Sequence, residues 1–423
     1  MEFETKCLHA GYQPGNGEPR VAPIVQSTTY TYDSTEEIGK LFDLETAGYF
    51  YTRIGNPTTN AAEEKIAALE GGVGALCTAS GQAATFFAIL NILESGDHLV
   101  SSSYVYGGTF NLFAHTFRKM GIEVTFVDQT APLEELKKAI RPNTKAVFAE
   151  TIANPAMHVL DIEKFVQLAH EADLPFIIDN TFATPYFCRP IEYGADIVIH
   201  STTKYLDGHA VQTGGVIVDS GKFNWNNGKF PQLSEPDVTY HNLVYTETFG
   251  PAAYITKARV QLMRDIGATP SPQNSFLLNL GMETLAVRMD RHYQNALAVA
   301  AFLKEQPSVS SVTYPGLESD ENYALAQKYV PNGLCGVISF EVGAGKEAAA
   351  KWLDALSLVS LEVHVADIRT CALHPATSTH RQLSDEELKN AGISPGLIRI
   401  SCGIENVKDI LADLKQAFEQ LEA

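Results

Sequence analysis

The sequence predicts an α/β protein: a large, mostly parallel, doubly wound sheet domain followed by a smaller C-terminal α+β unit. Two observations carry this. Between Val73 and Val218, apolar runs of strand length alternate with stretches that repeat apolar residues at helical spacing, the rhythm of β-α-β units with helices on both faces of a sheet. After about Val309, strands and helices mix without that rhythm. A chain of 423 residues also exceeds one ordinary core. It divides into an arm over 1–57, a large domain over 58–268 with an insertion at 219–250, and a C-terminal domain over 269–423.

The arm has little amphipathic pattern and ends in Tyr49-Phe50-Tyr51-Thr52-Arg53-Ile54-Gly55-Asn56-Pro57. Large aromatics on a segment without its own core mark it as lying against another surface, such as a partner subunit. From Thr58 the pattern is helical, with Ile66 and Leu69 opposite Glu63, Glu64 and Lys65, and it stops at Gly71-Gly72. Strands are expected at Val73–Cys77, His98–Ser101, Ile122–Val127, Lys145–Ala149, Pro175–Asp179, Ile197–Ile199 and Val216–Val218. The helices between them are expected at Thr85–Leu93, Thr109–Met120, Pro132–Ile140 and Ile162–Glu171. The rhythm breaks over 219–250, a long stretch containing Trp225, Pro231, Pro236 and Tyr240. Long loops in compact domains are functional or disordered, and the aromatics argue for a lid or an interface. Helices follow at Ala252–Ile266 and Ser275–Lys304, with Pro270 and Pro272 at the boundary. The C-terminal unit holds strands at Cys335–Val342 and Leu397–Ser401 and helices at Lys346–Leu356 and Asn406–Leu421.

Composition narrows the class of partner. A formal net charge of −19 disfavours nucleic acid and anionic membranes and makes any phosphate site a matter of local design. The six cysteines are scattered without a C-x-x-C pair, which points to a reducing cytoplasm. No window reaches the length of a membrane span, and the N-terminus lacks the apolar core of a signal peptide. His364, His374 and His380 lack metal-ligand spacing, so no metal is expected.

The chemistry concentrates after the strands. Ile197–Ile199 delivers His200, Ser201, Thr202, Thr203 and Lys204 to a strand's carboxyl end, where open α/β sheets bind ligands. A lysine held there can lose its proton through desolvation or a neighbouring cation and form a Schiff base with an aldehyde. Ser201 and Thr203 offer hydroxyls to a phosphate, and the cluster points to pyridoxal 5′-phosphate. A solvated lysine at a strand end is the plainer alternative. Thr78-Ala79-Ser80-Gly81-Gln82 leads from a strand into a helix, either an anion site with close backbone approach at Gly81 or a tight turn with a serine cap. Tyr106, beside Gly107 and Gly108, can cover a flat ligand or pack in a turn. Asp179, ending a buried strand, needs a cation or hydrogen-bonding partner such as a protonated pyridine nitrogen, or else closes an Asx turn. Arg399, between Ile398 and Ile400, is expected to grip a substrate carboxylate or to sit in a structural salt bridge.

In one order along the chain stand Tyr51-x-Arg53-x-x-Asn56-Pro57-Thr58, Ser80-Gly81, Tyr106-Gly107, Asp179-Asn180-Thr181, Ser201-x-Thr203-Lys204-Tyr205 with Gly208-His209, and Arg399-x-Ser401-x-Gly403. The chain thereby resembles, over essentially its whole length, the Cys/Met-metabolism family of pyridoxal-phosphate enzymes, of the aspartate-aminotransferase-like fold (fold type I). The resemblance implies that Lys204 binds the cofactor covalently and shuttles protons, that Asp179 pairs with the pyridinium nitrogen, and that Tyr106 stacks on its ring. It implies a phosphate held at Ser80, Gly81 and Gln82 with Ser201 and Thr203, joined by Tyr51 and Arg53 from a neighbouring subunit. Arg399, with Asn154, would take the substrate, and Tyr106 or Tyr51 would assist proton transfer. A homotetramer built from catalytic dimers is implied as well.

Within the family, methionine γ-lyases carry a cysteine where this chain has Gly108. The run Tyr106 to Phe113, Asp367-Ile368-Arg369-Thr370 before His374-Pro375-Ala376, and the 219–250 insertion resemble O-acetylhomoserine sulfhydrylases; cystathionine enzymes are shorter through that insertion. His364 departs from the asparagine of such sulfhydrylases, on the substrate side of the site. The implied reaction is γ-replacement in methionine and cysteine biosynthesis, O-acetylhomoserine and sulfide giving homocysteine and acetate. Methionine γ-lyase and cystathionine γ-synthase or lyase are the alternatives in the same fold. A nucleotide-dependent oxidoreductase would share the strand-helix rhythm, but the chain has no G-x-G-x-x-G after a strand.

Overall fold

Seven strands build the larger sheet: β1 Gly74–Thr78, β2 His98–Ser102, β3 Glu123–Val127, β4 Thr144–Glu150, β5 Phe176–Asp179, β6 Ile197–His200 and β7 Gly215–Asp219. The computed structural model describes residues 1–343, 345–378, 381 and 394–422; His380 lies outside them. The strand order is β1-β7-β6-β5-β4-β2-β3. Strands β6, β5, β4, β2 and β3 are mutually parallel, and β7 runs antiparallel to both β6 and β1. Since β7 is reversed against both neighbours, β1 points the same way as β6. The segments that follow β1, β2, β4, β5 and β6 therefore emerge at one edge of the sheet, where open α/β sheets hold their ligands.

The near-continuous apolar runs of these strands reflect burial on both faces. Alternate residues serve different cores: Val147 and Ala149 of β4 join Ile66, Phe165 and Ile178 on one face, while Ala146 and Phe148 join Phe87, Phe117 and Ile177 on the other. The helix Pro57–Glu70, capped by the Asn56 side chain on the Thr58 N–H and stopped by Gly71 at φ +82°, covers the first face. The helix Gly81–Leu90 covers the second.

The smaller sheet comprises β8 Val309–Thr313, β9 Val337–Val342, β10 Ser360–Leu361, β11 Cys371–Leu373 and β12 Leu397–Ser401, in the order β10-β11-β12-β9-β8. All its pairings are antiparallel except β10 with β11. Trp352 packs between Phe340 of β9 and Phe418 of the last helix, with ring centroids at 5.3 and 5.1 Å. The two sheets are tied where the Tyr205 hydroxyl accepts the Gly336 N–H at 2.7 Å and the Ser339 hydroxyl donates to the Pro155 carbonyl at 2.6 Å. No helix among the described residues is long and apolar enough to cross a membrane.

Four expectations change. The long helix over 275–304 is two, Pro272–Glu283 and Leu285–Lys304, and the first lies on the helix Pro57–Glu70, where Ser275 and Thr59 share a hydrogen bond of 2.9 Å. The helix expected from Thr109 begins at Gly107 and continues as a π-helical turn over Leu112–Phe117. The arm is not coreless at its start: the helix Phe3–His9 buries Cys7 in the main core and sets Phe3 against Tyr186. The insertion is not a free lid. Trp225, Phe230, Leu233 and Tyr245 are buried in the second core, and Trp225 stacks on Tyr254 at 5.1 Å and 10°. Packing three large aromatics onto the sheet's own helices removes more apolar surface from water than a movable flap could.

Candidate active site

Lys204 follows β6 in a tight turn, its N–H donating to the Ser201 carbonyl at 3.2 Å and its own carbonyl accepting the Gly208 N–H at 2.7 Å. Burial and the nearby Arg399 guanidinium push its ammonium down to about 8. Its Nζ lies 3.1 Å from Nδ1 of His364, whose own proton affinity burial and Lys204 push down to about 4. Partly buried and with its proton affinity lowered, Lys204 is not a solvated strand-end lysine.

The turn after β1 meets the turn after β6. A Cβ at Gly81 would lie 2.6 Å from Cβ and 2.9 Å from Cα of Ser201, so only glycine lets these backbones come so close. The serine cap expected of this turn is present. The Ser80 hydroxyl caps the helix, accepting the Ala83 N–H at 3.1 Å. The N–H groups of Gly81 and Gln82, in the first turn beside Ser201, have no carbonyl within the helix to bond and are the kind of donors that can receive an anion. The Gln82 side chain reaches Thr109 at 3.3 Å, and the Thr203 hydroxyl exchanges hydrogen bonds with the Gly214 N–H and carbonyl at 3.0 and 3.2 Å.

Asp179 ends β5 with one oxygen in an Asx turn, accepting from the Thr181 N–H at 2.9 Å and hydroxyl at 2.5 Å. The Thr181 hydroxyl in turn accepts the Ser201 N–H at 2.9 Å, locking the two strand ends together. Oδ2 is left for another partner. Glu150, at the end of β4, is in register with Asp179. Burial raises both carboxyls, and the proximity of Asp179 drives Glu150 well above the usual carboxylate range. Glu150 Oε1 accepts the Tyr106 N–H at 2.6 Å and so sets the turn that carries the tyrosine. The Tyr106 ring, half exposed, lies over Gly108, where a Cβ would come within 2.5 Å of the ring. Sequence reasoning missed Glu150 because it ended the β4 strand at Ala149. The signal was the same as for Asp179, a carboxylate closing an apolar run.

Arg399 is buried in β12, donating from Nη1 to Asn154 Oδ1 at 3.1 Å and from Nη2 to the Val363 carbonyl at 3.2 Å. Among the described residues no carboxylate pairs with it, and the structural salt bridge is not there. A buried guanidinium with only neutral partners has unused donors for an anion. His374 is a loop residue, bonded to Thr377 at 3.0 Å and to the Pro395 carbonyl at 2.8 Å.

Tyr51 and Arg53 sit apart from this cluster in the same chain. Arg53 packs its guanidinium 5.2 Å from the Tyr51 ring and bonds to the Arg264 carbonyl. Both line a cavity of about 560 Å³ with Tyr30, Phe42, Tyr240 and Arg264.

The remaining residues fit the cofactor that the sequence suggested. A pair of neighbouring carboxyls with no lysine or arginine bonded to either among the described residues suits a protonated ring nitrogen, a cradle that a Cβ at Gly81 would fill suits a phosphate, and a Lys204 of lowered proton affinity suits an aldehyde.

Comparisons with known proteins agree with this arrangement. A family model described as Cys/Met metabolism PLP-dependent enzyme matches residues 4–419. The O-acetyl-L-homoserine sulfhydrylase of Leptospira meyeri is 47% identical, covering 99% of this chain and 97% of its own. The homocysteine/cysteine synthase of Saccharomyces cerevisiae is 46% identical, covering 100% and 98%. A crystal structure from Campylobacter jejuni, described as an O-acetylhomoserine (thiol)-lyase with N′-pyridoxyl-lysine-5′-monophosphate, matches with a TM-score of 0.95 at 38% identity, covering 99% of this chain and 100% of its own.

Proposed function

Since the chain belongs to the Cys/Met-metabolism family of pyridoxal-phosphate-dependent enzymes, we propose that it is an O-acetylhomoserine sulfhydrylase, converting O-acetylhomoserine and sulfide to homocysteine and acetate in methionine biosynthesis. The observation that carries the reading is one site holding Lys204, its proton affinity lowered, beside an Arg399 with no acidic partner among the described residues. The chain also aligns end to end with sulfhydrylases from several organisms.

Bound pyridoxal phosphate supplies an electron sink that makes the substrate Cα proton acidic. Arg399, oriented by Asn154 and the Val363 carbonyl, holds the substrate α-carboxylate bidentately. Lys204 anchors the cofactor through its amine, then takes and returns protons at Cα and Cβ, its lowered proton affinity suiting it to both directions near neutral pH. Asp179 would pair with the ring nitrogen and keep it protonated. The Gly81 and Gln82 N–H groups, with Ser80, Ser201 and Thr203, would hold the phosphate. Tyr106 covers the ring face and, with Tyr51 of the partner subunit, assists proton movement. A Cβ at Gly108 would fall 2.5 Å from the Tyr106 ring as it lies here, so glycine permits this ring position.

The assembly is a homotetramer of catalytic dimers, in which the aromatic arm presents Tyr51 and Arg53 to the neighbouring site. Their separation from Lys204 within one chain supports this. All six cysteines are free and buried, which suits the reducing cytoplasm. We place the division between the two domains near residue 269, with the helix Pro272–Glu283 resting on the large domain.

The test is homocysteine formation by protein supplied with pyridoxal phosphate, O-acetylhomoserine and sulfide, with 2-oxobutyrate followed in the same tube. Homocysteine with little 2-oxobutyrate is expected. Dominant 2-oxobutyrate without homocysteine would replace this reading by a γ-lyase, and O-succinylhomoserine as donor tests the acyl group.

A further inference from the structure

We propose that the second half of the insertion, through Tyr240, is a positioning element for Arg53, so that the insertion of one chain governs how tightly the neighbouring subunit holds its cofactor. The inference rests on the reading of Arg53 as a contributor to the partner's site.

One short stretch of helix touches both the arm and the insertion: the π-helical turn Ala258–Met263 with the helical turn Arg264–Ile266. On the arm side, Arg259 donates from Nη1 to the Ile54 carbonyl at 3.0 Å and from Nη2 to Glu63 at 2.6 Å, and the Arg264 carbonyl accepts Arg53 Nη1. On the insertion side, the Tyr240 hydroxyl donates to the Val260 carbonyl at 2.8 Å and accepts Arg264 Nη1 at 2.6 Å. The Arg264 guanidinium lies 4.9 Å from the Tyr240 ring, and Gln261 Nε2 donates to Asp237. The two sets of contacts interleave along Arg259, Val260, Gln261 and Arg264, so a shift of the loop is passed to the carbonyl that holds Arg53. Turns of this wider kind are frequent at functional sites.

The loop that carries Tyr240 is closed on itself. Asp237 and Leu243 form an antiparallel bridge, and the Asp237 carboxylate accepts the Thr239 N–H at 2.8 Å, the Thr239 hydroxyl at 2.7 Å and the Tyr245 hydroxyl at 3.0 Å. Tyr245 is itself buried in the second core. His241 and Asn242 complete the reversal at left-handed φ of +52° and +63°, which non-glycine residues keep only where surrounding contacts impose it. The core thus fixes the base of the loop, and the loop fixes Tyr240 against the helix.

Arg53 is the group that gains from this. Its guanidinium pairs with no carboxylate among the described residues. Its partner is a carbonyl at a helix C-terminus, where the last carbonyls lack helical partners and favour a cation. One carbonyl leaves most of the guanidinium donors unused, and Arg53 lines the cavity of about 560 Å³ shared by the arm and the insertion. Such a group suits an anion from outside the chain, and bidentate capture of a phosphate needs its planar fork held in one orientation. Fixing the side chain beforehand removes part of the rotamer entropy that binding would otherwise cost.

The experiment titrates apoprotein with pyridoxal phosphate and follows the absorbance of the lysine-bound cofactor. Tyr240→Phe keeps the ring and removes both hydroxyl hydrogen bonds, and Asp237→Asn loosens the base of the loop. Each should weaken cofactor binding about 5- to 10-fold, with the apoprotein melting temperature lowered by at most about 4 °C. In an Arg53→Ala background, Tyr240→Phe should change the affinity less than about twofold, because the loop acts through Arg53.

Hybrids isolated through two different tags, one chain carrying Lys204→Ala and the other Tyr240→Phe, then place the effect. Only the chain that keeps Lys204 gives the absorbance. A loop that serves the partner leaves that site with an intact arm from the Lys204→Ala chain, and a phase of wild-type affinity is expected. Absence of that phase would put the effect in the loop's own site and overturn the proposal. Equal effects of Tyr240→Phe with and without Arg53, wild-type affinity in both loop variants, or failure of both to fold would overturn it too. A hybrid of Arg53→Ala with Lys204→Ala is the control. No tight phase there removes the underlying reading of the arm as a partner's element, whereas a tight phase there and none with Tyr240→Phe removes the proposal alone. The titration needs neither sulfide nor acyl donor, so it stands apart from the choice of reaction.

Discussion

Glu150 and Asp179 end adjacent parallel strands in register, one buried and one partly buried carboxyl side by side with no lysine or arginine bonded to either among the described residues. Like charges in one low-dielectric site do not both ionise readily. Glu150, driven well above its ordinary range, takes the neutral role and orders the Tyr106 turn, leaving Asp179 as the carboxylate proposed to meet the cofactor nitrogen. Asp179→Asn should lower kcat by about 100-fold or more, whereas Glu150→Gln, which still accepts the Tyr106 N–H, should lower it less than about tenfold. Steady-state kinetics with the absorbance spectrum of the bound cofactor checks this. A Glu150→Gln loss as large as that of Asp179→Asn would reverse the assignment.

Gly81→Ala should weaken cofactor binding at least about tenfold, because the new methyl would fall 2.6 to 2.9 Å from backbone and Cβ atoms of Ser201 and push apart the turns that hold the phosphate. Fluorescence titration of the apoprotein with pyridoxal phosphate measures it, with the apoprotein melting temperature as a folding control. Wild-type affinity in the variant would mean that the two turns need not touch.

Replacing Arg399 by Lys keeps the charge and removes the planar fork. The KM for the amino-acid donor should rise about 10- to 100-fold with a smaller effect on kcat. Asn154→Ala should raise it by less, and the double variant should fall short of the product of the two effects, because Asn154 orients the same guanidinium. Full multiplicativity would show that the contact does not matter to binding.

Trp225→Ala should destabilise the protein by about 3–5 kcal/mol through the cavity it leaves against Tyr254 and Phe230. Its kcat at a temperature where it stays folded should match wild type. Urea unfolding followed by tryptophan fluorescence and circular dichroism gives the first quantity. A large change in kcat or KM without loss of stability would restore the insertion as a lid.

His292 is buried with Nδ1 donating to the Cys402 carbonyl at 2.6 Å, and burial holds its proton affinity down to about 4. The folded value lies below the unfolded one, about 6.5. Between those values the unfolded chain binds a proton that the folded chain refuses, so this contribution is complete above pH 6.5 and is lost as the pH falls toward 4. The stability gap between wild type and His292→Gln should narrow by about 1–2 kcal/mol from pH 7 to pH 5. Urea midpoints at the two pH values measure it, and a constant gap would mean that His292 does not titrate on unfolding.

Much of this was legible along the chain. Strand and helix periods gave the large sheet because residues such as Phe148 and Val147 sort by alternation into two cores, a property of neighbouring residues alone. The order of short motifs around Lys204, Asp179, Gly81 and Arg399 pointed to the cofactor for a similar reason. Each motif lies within a few residues of a strand end, and strand ends of a parallel sheet share an edge.

Partnership over long sequence separations was not legible. That Glu150 lies beside Asp179, that Asn154 orients Arg399 across 245 positions, and that His364 meets Lys204 across 160 positions depend on strand order and on how the small sheet docks. The fate of the insertion was hidden for the same cause, since an aromatic run is equally suited to a mobile flap or to a core until the surface that receives it is known. The sequence by itself determined the elements, their periods and the residues capable of the chemistry, because those follow from local covalent geometry and side-chain type. Only the tertiary structure decided which of those residues share burial and charge, because proton affinity and packing are set by whatever the fold brings within a few ångströms.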